Sequence, residues 1–64
     1  MTDFYNKAEA CMFMYNENCS LRCAADNFGI PRSTLHRFLH TDFKTYHNEI
    51  YHDILDQQKK RKHN

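Results

Sequence analysis

Between Ser20 and His40 the chain reads SLRCAADNFGIPRSTLHRFLH, and this stretch gathers most of its chemically specific side chains. On a helix beginning near Pro31, the side chains of Arg32, Ser33, His36, Arg37 and His40 fall largely on one side. Leu35, Phe38 and Leu39 fall on the other. An arginine guanidinium can bridge O6 and N7 of a guanine with two hydrogen bonds, and Ser or Thr hydroxyls reach phosphates or base edges. A carboxylate on that surface would be repelled by phosphate, and positions 30–40 contain none. The chemistry these residues support is the reading of a duplex through its major groove. Thr34 joins the set from the same helix, Ser20 and Arg22 from the one before it, and Lys44 from the segment after it. Lys59, Lys60, Arg61 and Lys62 form a basic run suited to the phosphate backbone.

Other chemistry is poorly supplied. Zinc takes four ligands, usually as two close pairs that clamp a loop. Cys11, Cys19 and Cys23, taken with His36, His40, His47, His52 and His63, give no such pair-and-gap pattern, so no metal is expected. Three cysteines, in spacings that match no disulfide framework, indicate a reducing compartment. No nucleophile–base pair, phosphate loop or paired carboxylates stand out, so neither catalytic residues nor a cofactor are expected.

Holding the arginines outward requires a small set of helices. The first, about 3–16, takes Thr2 as its N-cap and Asp3 in its first turn. Its apolar stripe is Phe4, Ala8, Cys11, Met12 and Tyr15. Phe13 and Met14 broaden that stripe into a thicker core or a dimer contact. Asn16-Glu17-Asn18 is the connection to a second helix, Leu21 to Phe28, capped by Ser20 and ended by Gly29. Pro31 opens the third, about 31–40. Asp42-Phe43-Lys44-Thr45 reads as a short connection. A fourth helix, about 46–60, buries Ile50, Tyr51, Ile54 and Leu55. Tyr46 and Tyr51 belong to the core on this reading, and His47 and His52 to the surface or its packing. The expected fold is all-α: a small four-helix domain over 1–58 and a basic tail over 59–64.

The middle of this arrangement meets every demand of a helix-turn-helix. Two short helices that cross closely need small residues in the first, which Ala24 and Ala25 supply. The turn needs a residue that tolerates positive φ, and Gly29 fills that slot. Ile30 plugs the gap between the helices, and Leu35 and Leu39 face inward from the second.

Composition agrees. Sixty-four residues allow one small domain, and a single Gly and a single Pro are too few for an all-β chain. With 41% apolar and 27% charged residues the chain is too apolar for disorder. Its longest apolar run, Ala10 to Tyr15, leaves no membrane span and no signal peptide. The net charge is only +1, yet it is polarised. Arg22, Arg32, Arg37 and Lys44 outnumber Asp26 and Asp42 in the centre, and the KKRK run follows the acidic Glu49, Asp53 and Asp56. Local fields of that kind attract polyanions whatever the total.

AADNFGIPRSTLHRFL resembles the helix-turn-helix of the stage III sporulation protein D family of small bacterial transcription regulators. Gly29, Ile30, Arg32, Ser33, Thr34, Leu35, His36, Arg37 and Leu39 carry the likeness, and Glu49 to Asp56 with the basic end resembles that family's last helix. Pro31 stands where such proteins usually have a capping Ser. The same GIPRSTL string also resembles the Pipsqueak and centromere-protein-B class of helix-turn-helix modules of eukaryotic factors and transposases. Either likeness implies double-stranded DNA as partner, through the recognition helix and a basic C-terminal segment. The expected function is therefore sequence-specific DNA binding by a transcriptional regulator, with RNA polymerase or another regulator as a further partner. The compartment is the cytoplasm, at the nucleoid, or the nucleus on the eukaryotic likeness. The alternative is a helical protein-interaction module, such as a phage or mobile-element adaptor. No membrane is involved on either reading, and the oligomeric state stays open.

Overall fold

Ser20 and Gly29 bound the helix around which the others are arranged. The structure, a computed structural model, describes residues 2–61, with side chains over 4–60. The Ser20 hydroxyl accepts a hydrogen bond from the Cys23 amide at 3.1 Å and so caps α2, Leu21–Phe28. At the other end Gly29 has φ 66° and ψ 35°, left-handed values that a residue without Cβ adopts freely. Its N–H donates to the Asp26 carbonyl at 3.4 Å, and the Ile30 N–H to the Ala25 carbonyl at 2.9 Å. These two bonds satisfy two carbonyls of the last turn of α2 and turn the chain sharply.

Before α2 lies α1, Thr2–Glu17. Asn18, at φ 52°, ends it, and the Cys19 amide folds back to the Met14 carbonyl at 3.2 Å. The buried face of α1 is Ala10, Cys11 and Met14, so Cys11 and Met14 are core as expected while the centre of the face lies about one position from the rest of the expected stripe. Ala8, Met12 and Tyr15 flank the core, and Phe4 is 38% exposed. The reason is the close approach of α1 to α2, with the small side chains of Ala10, Cys11, Ala24 and Ala25 enclosed in one cluster. Met14 completes that cluster and Phe13 packs edge-on against Phe28 at 5.5 Å, so both of these apolar residues serve the interior of this chain. The caps expected at Thr2 and Asp3 lie outside the described side chains.

After the turn, α3 is one helical run over 32–46. It has an α-helical part, Arg32–Phe38, a π-helical segment, Leu39–Phe43, and a last turn, Lys44–Tyr46. The expected connection at 42–45 is therefore helix, and the break comes at His47, with φ −133° and ψ 59°. Spacing explains the wider turn. In an unbroken α register the position that follows Leu35, Phe38 and Leu39 on the same face is 42, three or four residues on from the last two. That position is Asp42, which has no place in an apolar interior. One widened turn, with the Lys44 amide bonding to the Leu39 carbonyl, leaves Asp42 exposed and carries Phe43 inward to 1% exposure. The Thr41 and Thr45 hydroxyls donate to the Arg37 and Thr41 carbonyls at 2.6 and 2.9 Å and bond the carbonyls along this stretch.

The last helix, α4, spans Asn48–Arg61 and begins two residues later than expected, with the Tyr51 amide bonded to the His47 carbonyl. It contributes Tyr51 and Ile54 to the core, with Ile50 and Leu55 packed at the margin. Tyr46, placed in the core by its sequence position, is instead 67% exposed, because the widened turn and the break at His47 leave it at the end of α3. Helix α4 packs beside α1, where Gln57 Nε2 donates to the Tyr15 carbonyl at 3.4 Å, and near the start of α1 the Phe4 ring meets Tyr46, at the end of α3, at 5.6 Å. Residues 59–61 continue α4 as helix.

The αL turn is testable in isolation, because a Cβ built at Gly29 meets nothing within 4 Å and any penalty is conformational. Gly29→Val should destabilise the domain by about 1–3 kcal/mol, and Gly29→Asn by less, since Asn tolerates positive φ better than a β-branched residue. Urea unfolding of the two variants checks this, and equal midpoints for wild type and Gly29→Val would contradict it.

Candidate nucleic-acid interface

The face of α3 turned away from the core is built by the same turn that closes α2. Pro31, with φ −57° and ψ 137°, precedes the helix and offers no side-chain cap, and its carbonyl accepts from the Leu35 amide at 3.0 Å. Leu35, Phe38 and Leu39 are buried beneath this face with Ile30. Arg32, Ser33, His36 and Arg37 are all exposed above it, as their spacing requires, and Thr34 is half-buried at its edge. Arg32 and Arg37 form no ion pair with another described side chain, so both guanidiniums keep their donors for a partner.

Its C-terminal flank is occupied by histidine. His36 and His40 lie one turn apart, with ring centroids 4.4 Å from each other and planes tilted by 56°. His40 is half-buried, and its Nδ1 shares a 2.7 Å hydrogen bond with the Tyr51 hydroxyl of α4. Burial, then His36, then Lys44 hold its imidazole below the usual histidine value. His40 therefore ties α4 to the widened turn of α3. Lys44 is exposed one turn on, with its ammonium 5.7 Å from the Tyr51 ring centroid. His47 and His52 are exposed beside the rings of Phe43 and Tyr51.

Other expected contacts are more scattered. Ser20 spends its oxygen lone pair on capping but keeps its hydroxyl proton, and Arg22 is exposed in the first turn of α2. Lys59 and Lys60 are exposed near the end of α4, and Lys60 pairs with Asp56 at 3.4 Å. Among the described residues, α4 packs against α1 and the second half of α3 but not against α2 or the first turns of α3. The structure thus does not bring Lys59 and Lys60 beside Arg32 and Arg37. The Arg61 side chain and Lys62 lie outside the described residues. Cys11 is enclosed in the core, and burial pushes its thiol up to about 12.

One basic side chain near this face is not suggested by the sequence pattern. Lys7 of α1 borders a cleft of about 270 Å³ together with Ser33, Thr34, Arg37 and Thr41 of α3. Its distance of 26 residues from Ser33 hides it. The available signal is its place on the rim of the Ala10, Cys11, Met14 face, three and four residues ahead of the first two.

The family model for the helix-turn-helix, Psq domain matches residues 8–44, from the middle of α1 to the last turn of α3. No curated protein and no solved structure gives a significant match. The match covers more than half of the chain and takes in the Ser20 cap, the Gly29 turn and the whole outward face of α3. It is the Pipsqueak-type likeness of GIPRSTL, extended across three helices, and the chain belongs to the helix-turn-helix, Psq domain family.

Proposed function

We propose that this domain binds double-stranded DNA, with the first turns of α3 in the major groove. The observation that carries the reading is the exposed set Arg32, Ser33, His36 and Arg37, seated on a buried apolar row in a helix-turn-helix with no acidic residue from 30 to 40. The arginines suit guanine edges, and Ser33 with Thr34 suits phosphate or base contacts. Ser20, Arg22, His40 and Lys44 contribute from the ends of the face. Sequence-specific regulation of transcription is the finer part of the proposal. It would act by occupying an operator or by meeting RNA polymerase or another regulator at one. On the sporulation-regulator likeness Glu49 to Asp56 and the basic end would join the same reading, with the domain in the cytoplasm at the nucleoid; on the Pipsqueak likeness it would act in the nucleus.

An adaptor that binds a protein is the second reading, and one observation favours it. Phe4, Tyr5 and Tyr46 form an exposed edge-to-face cluster, with the Phe4 ring 6.0 Å from Tyr5 and 5.6 Å from Tyr46. Salt separates the readings, because duplex binding weakens steeply between low and moderate salt and an adaptor shows no such binding.

Arg32→Ala and Arg37→Ala should each cost about 1–3 kcal/mol of affinity for a duplex selected from a random pool, and relax preference at one position. Melting temperature should hold, since both side chains are exposed. Fluorescence anisotropy checks this, and wild-type affinity in both variants would move the interface off α3.

Lys59, Lys60, Arg61 and Lys62 are assigned to the phosphate backbone, with Lys59 and Lys60 on a helix that does not pack against the first turns of α3. Removing residues 59–64 should weaken specific and random duplexes by similar factors. It should also flatten the salt dependence by about one unit of slope for each phosphate no longer neutralised. An unchanged slope would leave the basic end as a solvated terminus.

A further inference from the structure

Lys7 precedes the matched family span by one residue and carries no assigned role. Its turn of α1 is fixed against the helix-turn-helix, because the Asn6 side chain donates to the Phe28 carbonyl at 3.4 Å, at the end of α2. The Lys7 stem is half-buried, and its ammonium lies 5.9 Å from the centroid of the Phe38 ring. That places a cation between two adjoining clefts, one against Ser33, Thr34 and Arg37, the other against Gly29, Pro31 and Thr34.

The first cleft has an unbalanced chemistry. Lys7 and Arg37 both border it, with the hydroxyls of Ser33 and Thr34. Thr41 also lines it but has already donated its hydroxyl proton to the Arg37 carbonyl. Asp42 is its one carboxylate, and among the described residues it pairs with neither cation. One carboxylate offsets only one of the two cations, so the cleft keeps a net positive charge that a bound anion would balance. An ammonium is a compact point charge that suits a phosphate and reads no base pattern.

We infer that Lys7 extends the DNA-binding surface onto α1 by holding a backbone phosphate beside the groove that α3 enters. The inference rests on the proposed binding of duplex DNA by α3. Lys7 then fixes how α3 sits on the duplex and contributes nothing to sequence preference, as phosphate contacts do generally. Phe38 serves both sides of this arrangement, as core beneath α3 and as the platform for the lysine.

The test uses the full chain, a duplex selected from a random pool and a scrambled duplex of equal length. Lys7→Met keeps the apolar stem over Phe38 and removes the charge, and Lys7→Arg keeps the charge. For Lys7→Met, affinity for both duplexes should fall by the same factor, roughly three- to tenfold. The slope of log affinity against log salt should flatten by about one unit. Lys7→Arg should restore both, and melting temperature should stay at the wild-type value in each. Wild-type affinity and slope in Lys7→Met would overturn the inference while duplex binding by α3 stands. A loss that Lys7→Arg does not restore, or one accompanied by a lower melting temperature, would also overturn it and leave Lys7 a packing residue. Failure of the wild-type chain to bind either duplex would remove the proposed function itself, and this inference with it.

Discussion

The close contact of α2 with its neighbours constrains everything else in this small domain. Ala24 and Ala25 are fully enclosed, which is possible only because neither has a side chain long enough to hold the flanking helices apart. The Gly29 turn then starts α3 at once, and Ile30 closes the space between the two helices. A longer side chain at 24 or 25 would force the helices apart, and a residue intolerant of positive φ at 29 would redirect α3. Arg32, Ser33, His36 and Arg37 point outward together because the apolar row beneath them is fixed by this contact. The presentation of the face follows from packing, and its chemistry from which residues the packing leaves outside.

The widened turn of α3 is the second constraint, and it comes from one misplaced charge. Asp42 falls where the register of Leu35, Phe38 and Leu39 calls for an apolar residue, and Phe43 stands next to it. Burying a carboxylate costs several kcal/mol, and emptying a site filled by a Phe costs about 3–5 kcal/mol. A single π turn avoids both. It also brings His40 within hydrogen-bonding distance of Tyr51 and so sets where α4 attaches.

Much of this was legible in the sequence. The cap at Ser20, the stop at Gly29 and the inward Leu35 and Leu39 are local rules of helix ends and periodicity, and they hold in the fold. The outward arc of α3 follows from the same period. What escaped has a common cause in tertiary context. A polar residue between apolar ones read as a loop at 42–45, because a π turn has no local signature distinct from a break. The stripe of α1 was misplaced by about one residue because Phe4 looked like core and Ala10 did not, and close packing on α2 selects the smaller side chain. Tyr46 reads as core when it opens a helix over 46–60, four residues ahead of Ile50, whereas the break at His47 leaves it at the end of α3. Lys7 was invisible as a neighbour of Ser33, since only the fold joins α1 to that face.

Backbone amide shifts on addition of duplex DNA test most directly whether the duplex meets the outward side of α3, with its flank on α1. Titrating the labelled chain with a duplex selected from a random pool should move the amides of Arg32 to Arg37 most, with smaller changes at Lys7, Ser20 and Arg22. Shifts confined to Tyr5, Tyr46 and their neighbours, or none at saturating duplex, would contradict that placement.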